Sequence, residues 1–119
     1  MTHFMSLAAE PFEQIASGNK TIELRLFDKK RQKINNGDII VFTNLSDHRQ
    51  IFVKVVDLHI YDNFADLYNN LPLLKCGYTE ENIQEAKPED MLEYYPQKKQ
   101  NQYKALGIEI VLIWKDSFK

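Results

Sequence analysis

The last regular stretch of the chain does most to constrain its fold. Leu106-Gly107-Ile108-Glu109-Ile110-Val111-Leu112-Ile113-Trp114 is dominated by β-branched and apolar residues, which suits a pleated strand with little solvent on it. Such a strand needs partners, and they lie at the other end of the sequence. Lys20 to Leu26 alternates, with Ile22, Leu24 and Leu26 on one side and Thr21, Glu23 and Arg25 on the other. Asn35-Asn36-Gly37-Asp38 is a turn signal, followed by the apolar run Ile39-Ile40-Val41-Phe42. Residues 45–49 read as a hairpin turn into a long strand from Gln50 to Ile60. The terminal strand is therefore expected to pair back into an N-terminal sheet. Closing that sheet into a small barrel would remove its exposed edges.

Between these strands the period changes. Pro11 to Ser17 reads as a short helix stopped by Gly18 in a left-handed conformation. Asn63 can cap a helix through Tyr68, and Thr79 one from Glu80 to Ala86. Pro88 opens another to about Tyr95, and Pro96 one through Tyr103. The fold class that follows is α+β: a small β-barrel of about five to six strands with flanking helices. At 119 residues with no linker or repeat, residues 1–119 are expected to form a single domain.

Composition excludes several classes. Hydrophobic residues at 44% and charged residues at 27% exclude wholesale disorder. No apolar run approaches the ~20 residues of a membrane span, and Met1 to Met5 lacks the build of a signal peptide, so a soluble cytoplasmic protein without membrane partners is expected. Cys76 is the single cysteine, so no internal disulfide or multi-cysteine zinc site can form, and a small buried residue is expected there. His3, His48 and His59 lack ligand spacing, so no metal and no cofactor are expected. The formal net charge of −2 excludes a uniformly basic coat. Yet residues 57–96 hold nine acidic and two basic side chains, whereas residues 97–119 hold five basic and two acidic. Glu80, Glu81, Glu85, Glu89, Asp90 and Glu93 read as solvated helix faces.

The stretch Ser17-Gly18-Asn19-Lys20-Thr21-Ile22-Glu23-Leu24-Arg25 carries the chemistry. Glu23 and Arg25 are two apart on one strand and share a face, and Lys20 joins them only if the turn re-aims it. A carboxylate beside a guanidinium can present an oriented surface to a nucleobase edge or a phosphate. The same spacing also fits a structural ion pair on a sheet face. The cluster Lys29-Lys30-Arg31-Gln32-Lys33, with Lys98, Lys99 and Lys104, reads as a phosphate-gripping rim or as solvated surface. Phe27, Tyr61, Tyr94, Tyr95 and Tyr103 are candidates for base stacking, with Tyr103 favoured because it directly precedes the closing strand.

Gly18, Lys20, Glu23 and Arg25 match Gly-x-Lys-x-x-Glu-x-Arg, and the chain resembles the ASCH domain family of the PUA-like superfamily, in its small single-domain bacterial form. Asn36-Gly37-Asp38, Phe64 to Tyr68, Tyr94-Tyr95-Pro96 and Tyr103 to Ile110 extend the resemblance along the chain. It implies an RNA- or nucleotide-binding protein whose cleft is lined by Gly18, Lys20, Glu23, Arg25 and Tyr103. Lys29, Lys30, Arg31, Lys33, Lys98 and Lys99 would form the phosphate rim. A monomer is assumed. The alternative is a small metal-independent amidohydrolase acting on a modified nucleoside such as N4-acetylcytidine, with Lys20 and Glu23 catalytic. One branch of the family is similar to such an enzyme, and Lys20 matches its lysine. Glu23 stands where that branch has threonine.

Overall fold

The computed structural model describes residues 1–116. Its elements run Thr2–Leu7 (β1), Ala9–Ala16 (α1), Ile22–Leu26 (β2), Ile39–Asn44 (β3), Gln50–Tyr61 (β4), Phe64–Asn70 (α2), Gln97–Gln102 (α3) and Ala105–Lys115 (β5). They form an α+β fold around one five-stranded sheet of order β1-β3-β4-β5-β2. The β1–β3 pair is parallel and the others are antiparallel. As the apolar run at Leu106 to Trp114 required, β5 is flanked on both sides, by β4 and β2. The first strand, β1, went unread in the sequence, although His3, Met5 and Leu7 alternate into the interior.

The expected closed barrel is corrected to an open half-barrel. β1 and β2 are the two edges, and no ladder joins them among the described residues. Cationic side chains cross the seam instead. Arg25 Nη2 donates to the Ser6 carbonyl at 3.0 Å, and Lys30 Nζ donates to the Phe4 carbonyl at 2.8 Å. These side chains occupy acceptors that a fifth pairing, between β1 and β2, would have used, so the edge of β1 is satisfied and blunted without closure.

A helix covers each face of the sheet. Phe12 and Ile15 of α1 pack with Ile40, Phe42, Val53, Val55, Leu106 and Ile108 on one face. Phe64 and Leu67 of α2, with Leu71 just after it, pack with Ile22, Leu24, Leu26 and Ala105 on the other. Alternation along β2 therefore decides the site: its odd positions, Glu23 and Arg25, pair with Ile108 and Leu106 and lie on the α1 face. Beside it Gly107 is closely packed: a Cβ there would lie 2.6 Å from a Leu71 methyl, which would have to move.

The acidic middle is less helical than its pattern suggested. Asn63 caps α2 by accepting the Asp66 N–H at 2.8 Å, as expected. The helix expected over Glu80 to Ala86 is only a 3₁₀ turn at Ile83–Glu85, and residues Pro88–Glu93 are 3₁₀ as well. The polarity at Thr79 is reversed: its own N–H is bonded by Asn82 Oδ1 at 2.7 Å, which makes a tight turn and not a helix cap. With only Ile83 and the small Ala86 apolar between Thr79 and Pro88, there is too little apolar surface to hold a longer helix against the sheet.

Asp38 fixes the turn into β3. Its carboxylate lies 2.8 Å from His3 Nε2 and accepts the Asn35 N–H at 2.9 Å. These two hydrogen bonds, the His3 one first, hold its pKa down to about 2. The unfolded chain binds the proton more readily. Stability from this contact is therefore fully present above the ordinary value of 3.8 and lost as pH falls through about 2. Urea unfolding of the native protein and Asp38→Asn at descending pH is expected to show the native advantage shrinking over that window. An advantage that stays constant would contradict this account.

Candidate functional site

The site begins at the end of α1. Gly18 takes φ +85°, a region that favours glycine, and turns the chain back so that the Lys20 N–H donates to the Gln14 carbonyl at 3.0 Å. Lys20 thus precedes the first paired residue, Ile22, and escapes strand alternation. Its Nζ reaches Glu23 Oε1 at 2.8 Å, while Arg25 Nε donates to Glu23 Oε2 at 2.8 Å. One carboxylate thus holds two cations, and all three residues are largely buried: Glu23 is 4% exposed and Lys20 9%. Burial pushes the Glu23 pKa up, but Lys20 and Arg25 outweigh it and hold the group below its ordinary value. Burial likewise lowers and Glu23 raises the Arg25 pKa, with a net rise.

A cleft of about 520 Å³ opens beside this trio. It lies where the half-barrel stays open, between the end of β1 (Ser6, Leu7) and β2 (Leu24, Arg25). The far wall comes from the irregular middle. Tyr78 donates to Asp90 Oδ2 at 2.7 Å, and its hydroxyl lies 2.8 Å from that of Tyr68. Burial pushes the Tyr68 hydroxyl up to about 12 and raises Tyr78 further. Gly77 links wall to floor at φ +110°, where a Cβ would lie 3.2 Å from Gln14 Oε1 and 3.4 Å from Lys20 Cδ. Cys76, 5% exposed, lies in the lining, and burial pushes its thiol up to about 11.

Lys20, Glu23 and Arg25 converge on this cleft, together with Tyr94 and Tyr95. Gly18 shapes the approach but does not line it. Tyr103 lies in a neighbouring hollow of about 430 Å³, with Lys29, Lys30, Lys99 and Tyr95. Tyr95 is common to both hollows. Arg31, Lys33 and Lys98 line neither, and Arg31 pairs with Asp28 at 3.2 Å. Phe27 and Tyr61 pack against the two cores. His59 does not line the cleft and lies 2.9 Å from Glu109. With Asp57 these groups bring three ligand-type atoms within 4.8 Å of one another, a proximity across two strands that spacing in sequence does not reveal. Sequence reasoning also missed Gln14, Tyr68, Gly77, Tyr78 and the inward role of Asp90. The Gly77-Tyr78 pair, a glycine followed by an aromatic in a polar stretch, was the one available signal.

The ASCH domain family model matches residues 5–113. Among solved structures, hypothetical protein PH0355 is similar at 30% identity and TM-score 0.77, over 95% of this chain and 100% of that one. Protein PF0455 from Pyrococcus furiosus is similar at 28% identity and TM-score 0.72, over 95% and 98% respectively. The ASCH protein from Zymomonas mobilis shares the fold at 17% identity and TM-score 0.62, over 96% and 71%. The curated proteins contain no match.

Proposed function

We propose, since this chain belongs to the ASCH domain family, that its cleft binds a nucleoside or nucleotide unit of RNA. The observation that carries this reading is the trio at the cleft floor: two cations held on one buried carboxylate, leaving one net positive charge and unspent N–H donors toward the opening. Both Glu23 oxygens are engaged, so Glu23 orders the lysine and the guanidinium, and those two meet the ligand. The volume falls within the range of small-molecule sites, and Tyr94 and Tyr95 supply aromatic surface. Lys29, Lys30 and Lys99 in the adjoining hollow suit a phosphate on the same ligand, with Tyr103 beside them.

Hydrolysis of a modified nucleoside is the weaker reading. A general base needs a pKa near the working pH. Glu23 is paired with two cations at 2.8 Å, which hold its pKa below the ordinary carboxylate value.

The test is fluorescence anisotropy with a labelled single-stranded oligoribonucleotide at two salt concentrations. Arg25→Ala is expected to weaken binding about tenfold or more, the worth of one charge-assisted hydrogen bond. Lys99→Ala, at an exposed position on α3, is expected to reduce the salt dependence with the fold intact. No binding at low salt, or affinities unchanged in both variants, would end the proposal.

A further inference from the structure

Resting on that nucleoside reading, the hydrogen-bond polarity of the far wall restricts which bases fit. Tyr78 has one hydroxyl proton, and it is spent on Asp90 Oδ2 at 2.7 Å. The 2.8 Å contact between Tyr78 and Tyr68 must therefore be donated by Tyr68. Both protons point along the wall toward Asp90, and none points into the cleft. Asp90 Oδ2 also accepts the Lys87 N–H at 3.3 Å, so its other oxygen remains as an acceptor. Gln14, beside Lys20, is mixed: its Nε2 donates one N–H to the Gly77 carbonyl at 3.0 Å and keeps a second N–H next to the Oε1 acceptor. The rim adds the carboxylates of Glu10 and Glu93. The Tyr68–Tyr78–Asp90 wall thus presents acceptors, Asn82 beside it keeps its amide N–H donors because its Oδ1 takes the Thr79 N–H, and the floor carries the donors of Lys20 and Arg25.

We infer that the cleft selects bases bearing an exocyclic amino group. The amino N–H atoms would face Tyr68 and Asp90, and a carbonyl or ring nitrogen would face Lys20 and Arg25. A base with a keto oxygen in the amino position would set lone pair against lone pair, at a cost larger than a missing contact. The acidic rim also turns the phosphate away from this cleft and toward the lysines of the adjoining hollow.

Isothermal titration of the full chain with cytidine against uridine, and adenosine against inosine, tests the inference. The amino member of each pair is expected to bind about tenfold tighter or more. Asp90→Asn keeps the shape of the side chain but adds N–H donors, and is expected to narrow that preference. Equal binding within both pairs, or tighter binding of the keto members, would overturn the selectivity while leaving nucleoside binding in place. Binding of none of the four, with an oligoribonucleotide also unbound, would remove both readings.

Discussion

Glu23→Ala is expected to destabilise the fold by about 3–5 kcal/mol, because it strands two buried cations without their shared counter-ion. Lys20 and Glu23 are 9% and 4% exposed, so solvent offers little compensation. Urea unfolding measures the loss. A companion variant separates stability from function: Lys20→Met, Glu23→Leu and Arg25→Leu together replace the ionic cluster with apolar groups of similar size. Ion clusters of this kind seldom contribute more stability than well-packed hydrophobes. The triple variant is expected to be as stable as the native protein, or more so, and to lose nucleotide binding. A triple variant as unstable as Glu23→Ala would assign the cluster to the fold and not to recognition.

Phe12→Ala is expected to cost about 3–5 kcal/mol, the usual range for emptying a buried aromatic site. Phe12 is 1% exposed and packs in the same core as Phe42, Val53 and Leu106. Its ring ties α1 to the sheet, and the same helix carries Gln14 and leads into the Gly18 turn. Thermal unfolding should show the lost stability. Phe12→Leu, which keeps most of the volume, is expected to retain the greater part of it. A small effect of Phe12→Ala would mean that α1 is held by its flanking turns alone.

Sequence is legible where one hydrogen-bonding pattern or one face decides the outcome. The glycines at 18 and 37 take positive φ, and the alternation along residues 22–26 placed Glu23 and Arg25 on one side. The cap at Asn63 was legible for the same reason, since donor and acceptor are three residues apart. Tyr103 was assigned to the main cleft because it adjoins β5 in sequence, whereas its ring faces the hollow on the lysine side. The acidic middle carries capping residues that mark helix starts, but it lacks the apolar stripe that would hold a helix against the sheet.

Side-chain parity, turn chemistry and apolar content act over a few residues, so the amino-acid order alone determined four of the five strands, the paired charges and the family to which they belong. Contacts between distant segments decided the rest. Arg25 on Ser6 keeps the seam open across 19 positions. Tyr78 on Asp90 sets the polarity of the far wall across 12. Such pairs carry no periodic trace in sequence, because each depends on the packing of whole elements that brings its two members within hydrogen-bond reach.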